Sequence, residues 1–150
     1  MGILDKLFGG PKPDERDNNQ LIFDIAEYNS RPADMQELFR RLPSLLLFSK
    51  VVKSNVKLAG GTTHVVQAGE VIGLQTVSLP NGYTMTQFFI NETDERLKPS
   101  YIGMSAKEAL QMTLKGAGVD GLILCNSKIS WVALVRPKIE EILKRDFPVS

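Results

Sequence analysis

One histidine and one cysteine are the only residues of their kinds in this chain of 150, and they bound the chemistry it can perform. His64 stands in the run Gly60-Gly-Thr-Thr-His-Val-Val66. An imidazole can serve as a general base. No motif supplies a nucleophile for it, so it reads as an exposed or strand-borne structural residue. Cys125 ends an apolar run, where a buried thiol is inert. A protein-built zinc site needs several such ligands, and this chain lacks them. Glu92, Asp94 and Glu95 can offer carboxylates to a cation, but their spacing is not that of a calcium loop, and they read as a solvated turn. Gly116-Ala-Gly118 is too short for a dinucleotide fingerprint and follows a helical pattern where it should precede one. The sequence therefore predicts no catalytic residue, no metal and no cofactor.

The elements that must position these residues are legible from Thr84 onward. Tyr83 to Ile90 is rich in aromatic and β-branched residues and reads as a strand, half-exposed at its start and buried on both faces at its end. Ser105 and Glu108 form a capping box, so a helix starts at Ala106. Ala106, Ala109, Leu110, Thr113 and Leu114 follow at helical spacing. Gly116 and Gly118 can adopt the left-handed conformation that ends it. Leu122 to Cys125 is a short apolar strand, Asn126, Ser127 and Lys128 a turn, and Trp131 to Val135 a return strand. Pro137 suits a first helical position, and Ile139, Ile142 and Leu143 give the last helix its apolar stripe. The long connection from Phe89 through the Ser105 helix to Leu122 predicts a β-α-β crossover. The expected fold is α+β: a mixed sheet with helices packed on it, containing that crossover and a C-terminal hairpin followed by a helix.

Before Thr84 the pattern is less complete. Ile3, Leu4, Leu7 and Phe8 can share one helical face, and Gly9, Gly10, Pro11 and Pro13 break it. Residues 1–20 read as an amphipathic segment and polar linker, and 21–150 as the folded domain. Leu21, Ile22, Ile25 and Tyr28 mark a first helix. Pro32 opens a second, buried through Met35, Leu38, Phe39 and Leu42 and stopped by Pro43. Ser44 to Phe48 is a buried strand. Val51 to Leu79 suits strands bent at its glycines, and Asn81-Gly82 is a hairpin turn.

The formal net charge is +1, but it is unevenly spread. Residues 14 to 37 are acid-rich, whereas residues 38 to 69 contain no acid and carry Arg40, Arg41, Lys50, Lys53 and Lys57. Such a segment can meet an acidic partner or complement the acidic helix within the same molecule. No recognition motif for nucleic acid accompanies it. The lone cysteine fits a reducing cytoplasm, and no apolar run is long enough for a membrane span or a secretory signal.

Several segments together resemble the N-terminal domain of the SseB family, named for enhanced serine sensitivity. They are Phe39-Arg-Arg-Leu-Pro-Ser-Leu-Leu-Leu-Phe, Met85-Thr-Gln-Phe-Phe-Ile-Asn-Glu-Thr-Asp-Glu-Arg-Leu, Tyr101 with the Ser105 helix, Gly118-Val-Asp-Gly-Leu-Ile-Leu-Cys-Asn126, and Trp131-Val-Ala-Leu-Val-Arg-Pro-Lys-Ile-Glu-Glu-Ile-Leu. The resemblance runs from Leu21 to Phe147. Ser127 stands where the family tends to carry proline, and Gly60 to Gly73 departs from its pattern. It implies a soluble bacterial α+β protein and carries over no active residue. The expected function is a non-catalytic, SseB-like module of the bacterial cytoplasm that binds a protein, unknown or a second copy of itself. Candidate binding residues are Asn126, Ser127 and Trp131 around the last hairpin, Arg40 and Arg41 on the basic stretch, and Leu4 and Phe8 on the N-terminal stripe. Trp131 can line a site if its strand lies at a sheet edge. The alternatives are a small enzyme with its site at the turn after Cys125, near Asn126, Ser127 and His64, and a structural subunit that self-assembles through the N-terminal segment.

Overall fold

The computed structural model describes residues 14–54, 72–116 and 118–147. His64 and the N-terminal stripe with Leu4 and Phe8 lie outside the described residues. The chain enters helix α1 (Asn18–Glu27), whose first turn is capped by Asp17 accepting from the Gln20 N–H at 2.8 Å. Leu21, Ile22 and Ile25 are buried, but Tyr28 is exposed. The helix has ended there, and Asn29 and Ser30 take left-handed backbone angles. Arg31 covers the Tyr28 ring at 4.4 Å. Helix α2 (Pro32–Arg41) opens on its proline, buries Leu38 and Phe39, and gives way at Pro43 to a 3-10 turn (Leu42–Ser44).

That turn delays the strand expected from Ser44. Strand β1 (Leu46–Ser54) begins after the Leu45 N–H has closed the turn on Leu42 O at 3.0 Å. It also runs well past Phe48. The polar Ser49 does not stop it, because its buried hydroxyl donates to Gln87 O at 2.7 Å. Strands β2 (Ile72–Leu74) and β3 (Thr76–Ser78) follow, then the Asn81-Gly82 turn with Gly82 at φ +90°, and β4 (Thr84–Phe89). β5 (Tyr101–Ser105) leads directly into helix α3 (Ala106–Lys115), and β6 (Gly121–Cys125), β7 (Trp131–Val135) and helix α4 (Arg136–Arg145) complete the chain.

The sheet is mixed. β4 and β6 are parallel, in register from Met85↔Gly121 to Phe89↔Cys125, and β6 and β7 form the antiparallel hairpin. The predicted crossover therefore joins true neighbours. It carries β5, which was not legible in the sequence and pairs antiparallel along β1. β1 and β4 adjoin only at Phe48 and Phe89 and then diverge. β2 follows β1 and β3 follows β4 into the gap, with Gln75 at the apex. Gln75 donates its N–H to Lys50 O and accepts from the Gln87 N–H, both at 2.9 Å, so the fork leaves no broken ladder at its root.

The four α-helices of the described residues cover one face, where Leu21, Ile22, Leu38, Ala109, Ile139 and Ile142 meet Leu47, Phe88, Leu122 and Leu134 of the sheet. A second cluster of Phe48, Met85, Phe89, Ile123 and Cys125 lies on the opposite face, under Leu97 from the β4–β5 connection. Two devices close α3. Ser105 and Glu108 form the expected capping box at its start. At its end Gly116 keeps φ −74° and donates to Met112 O and Thr113 O, while the left-handed turn falls on Gly118, φ +81°. The Arg136 guanidinium then donates to the carbonyls of Thr113, Leu114, Gly116 and Val119, satisfying acceptors that a helix end leaves open.

Removing the cap hydroxyl exposes the worth of this local design. Ser105→Ala should lower stability by about 1 kcal/mol, the usual cost of losing an N-cap. Equal denaturation midpoints at equal slope in urea would show that the cap contributes nothing.

Candidate functional site

The turn after Cys125 sits at the C-terminal ends of the parallel pair β4–β6, and its polar groups are engaged with one another. Asn126 is 2 % exposed. Its side-chain oxygen accepts from the N–H groups of Lys128 at 3.0 Å and Ser130 at 3.1 Å, and its amide donates to Asn19 O at 3.1 Å. Asn19 completes the clasp, since its side-chain oxygen accepts from the Ser127 N–H at 2.8 Å and the Asn91 amide at 2.9 Å. These bonds fasten the start of α1 to the rim of the sheet. Asn126 thus closes its own loop and anchors a helix distant in sequence. Asn19 and Asn91 carry no motif that singles them out beforehand.

Arg96 is the other residue that sequence reasoning passed over. Its guanidinium covers the Phe89 ring at 4.6 Å and donates to Asn126 O at 2.7 Å and to Asp94 Oδ2 at 2.8 Å. That hydrogen bond, more than the charge beside it, holds the Asp94 carboxyl below the usual aspartate range. Glu92 turns elsewhere and accepts from the Tyr101 hydroxyl at 2.8 Å. Beneath them Cys125 accepts a weak contact from the Gln87 amide at 3.8 Å. Burial pushes its thiol up to about 11, against the opposing pull of Gln87 and Arg96. A thiol so placed is protonated at neutral pH and is a poor nucleophile. Among the described residues no group of three or more His, Cys, Asp and Glu side chains is arranged to hold a metal ion.

Arg40 and Arg41 face carboxylates of their own chain. Arg41 bonds Glu37 at 2.6 Å, the Asn18 side chain at 2.9 Å and Asp14 at 3.2 Å, while Arg40 bonds Glu37 at 2.5 and 2.9 Å. Arg16 continues the network, pairing with Asp14, with Asp24 at 2.9 Å and with the buried Asp34 at 3.0 Å. Arg40 and Arg41 of the base-rich stretch therefore meet Glu37 and Asp14 of the acid-rich stretch within one molecule, at the α1–α2 notch. Asp14 and Arg16 are held there, and Asp17 caps the start of α1.

Apolar side chains, by contrast, stand open on the helix-free face. Leu46 is 61 % exposed and Tyr101 42 %. Both lie on the same side of the sheet as Phe48, whose ring meets Tyr101 edge-on at 6.1 Å between centroids. Gly103 makes this possible: a Cβ there would stand 2.9 Å from the Phe48 ring. Lys50 pairs with Tyr101 in the ladder, placing a cation in the same row. Trp131, 41 % exposed, occupies this face at the far side of the sheet, on strand β7 at its end. In the sequence Leu46 is hidden, because Leu45-Leu46-Leu47 reads as uninterrupted core. No helix among the described residues is long and apolar enough to cross a membrane. Comparison with protein-family models, with curated proteins and with solved structures found no match.

The notch network makes stability depend on pH. The Asp14 carboxyl falls to about 2, chiefly through its hydrogen bond from Arg16, and Asp24 and Glu37 are lowered by Arg16 and by Arg40 with Arg41. Each carboxyl binds its proton more weakly in the folded chain than in the unfolded one, where aspartate titrates near about 3.9 and glutamate near about 4.3. Protonation therefore favours unfolding. The thermal midpoint should hold steady above about pH 5 and fall as pH drops toward about 2, less steeply for Arg16→Met than for the wild type. Identical acid slopes would remove the network from the stability account.

Proposed function

We propose that this chain is a non-catalytic, SseB-like protein-binding module of the bacterial cytoplasm, gripping its partner with the Leu46–Tyr101 end of the helix-free sheet face. The exposure of Leu46 and Tyr101 at the two ends of one β1–β5 row, with Phe48 between them, carries the reading. An apolar side chain in the middle of a leucine run, left open on the same face of the ladder as an exposed aromatic and a lysine, has the make-up of a contact site with a polar rim. The partner it suits is a protein surface offering an apolar anchor to Leu46 and Tyr101 and a carboxylate to Lys50. The order of elements and the quoted segments support the family assignment. The state of the turn after Cys125 supports a non-catalytic role: Asn126 and Arg96 are spent on holding the loop, and the thiol is raised and covered.

Two measurements test this. Leu46→Asp alters an exposed side chain, so its unfolding midpoint should stay near that of the wild type, within about 0.5 kcal/mol in stability. Proteins captured by the wild type from bacterial lysate and identified by mass spectrometry should be lost from the variant. Retention of the same proteins by Leu46→Asp would sink the proposed surface. Separately, Cys125 in the native protein should react with a thiol reagent only as fast as the protein opens. Modification at the rate of a free thiol would overturn the non-catalytic assignment.

A further inference from the structure

We infer that β7 is a self-pairing edge: two copies of this chain join antiparallel through Trp131–Val135, with Ala133 on the two-fold axis. This is independent of the binding surface proposed above, which lies at the other end of the sheet. β7 ends the strand order and pairs only with β6 among the described residues. The ladder fixes which backbone groups remain free. Asn126 donates its N–H to Ser130 O, and the Arg136 N–H reaches Asp120 O, so Ser130, Val132, Leu134 and Arg136 turn toward β6. The N–H and C=O groups of Trp131, Ala133 and Val135 therefore point outward.

Three devices that commonly prevent strand addition, charge, proline and a bulge, are missing from this edge. Trp131-Val-Ala-Leu-Val135 has no charge and no proline, and its register with β6 has no bulge. The opposite outer strand, β5, is better closed. There the outward N–H of Ser105 is bonded to the Glu108 carboxylate in the capping box, and Tyr101 is tied to Glu92.

The sequence of β7 suits a second copy of itself. With the axis at Ala133, the two alanines face each other, and each Trp131 faces Val135 of the other copy on the helix-free side. Aromatic against β-branched is a favourable cross-strand pair, and no like charges are opposed between 131 and 135. Every outward donor and acceptor of the strand gains a partner. The strand ends at Val135, and α4 leads the chain away from Arg136, which confines the pairing to this short self-complementary stretch. A two-fold contact of this kind is closed and does not propagate into a filament. It also covers Trp131, the chain's one tryptophan, which the monomer leaves 41 % exposed.

Light scattering coupled to size exclusion, on the full chain, should give twice the monomer mass. Ala133→Pro removes only an outward N–H, a place where an edge strand tolerates proline, and should return the protein to monomer mass with an unchanged far-ultraviolet circular dichroism spectrum. Ala133→Cys maps the register independently of that variant's folding. Facing residues of a hydrogen-bonded antiparallel pair lie about 5.5 Å apart at Cα, within the span of a disulfide. Mild oxidation should therefore join two Ala133→Cys chains, whereas Trp131→Cys, which faces Val135, should not cross-link. A wild type that stays monomeric at its highest soluble concentration, a folded Ala133→Pro that remains dimeric, or equal cross-linking of both cysteine variants would overturn the inference.

Discussion

The parallel pairing of β4 with β6 is the constraint on which the rest of the structure depends. Parallel neighbours cannot be joined by a tight turn, so the chain must leave the end of β4 and return to the start of β6. The return path supplies β5 to the far edge of β1 and then α3 to one face. Gly121, the first residue of β6, shows how close the fit is. A Cβ there would stand 2.2 Å from Leu134 O on β7, so the hairpin and the crossover share a position that admits no side chain. Once α3 and α4 occupy one face, α1 and α2 find their apolar stripes a place beside them, and the opposite face is left to side chains of the sheet and to Leu97.

Polar groups in this fold are used to lock that arrangement. Asn126, Asn19 and Asn91 pin α1 to the rim, Arg136 closes α3 from the beginning of α4, and Ser49 and Gln75 hold the root of the fork between β1 and β4. Each joins elements far apart in sequence, and each satisfies backbone or amide groups that would otherwise be desolvated at a cost. No buried side-chain nitrogen or oxygen among the described residues lacks a partner. The polar groups of the turn after Cys125 are bonded within the fold, and exposed apolar side chains stand at Leu46, Tyr101 and Trp131.

Much of the fold was legible before any coordinates. Ser105 with Glu108, Pro32, Pro137 and Asn81-Gly82 are signals whose partners lie within a few residues, so the helix starts and the hairpin turn could be read directly. The crossover and the final hairpin followed from apolar runs separated by those signals. The same local reading misplaced the start of β1 because the 3-10 turn at Pro43 absorbed Ser44, and it passed over β5, whose Tyr-Ile-Gly-Met sequence acquires meaning only opposite Phe48.

The candidate site was less legible, for the same reason extended further along the chain. Arg40 and Arg41 looked available in sequence because Asp14 and Asn18 are more than a helix away, and only the α1–α2 packing brings those groups together. Asn126 and Ser127 were rightly placed in a turn, but their bonds run to Asn19 at the other end of the domain. Leu46 read as core because burial is a property of what packs above a residue, and periodicity cannot report which face of a sheet the helices cover. The sequence by itself determined the local elements and the α+β class, since caps, turns and apolar spacing act within a few residues. The tertiary structure alone decided which charges are neutralised, which face stays open and that Trp131 stands on an edge strand, because each of those depends on a neighbour supplied by a distant part of the chain.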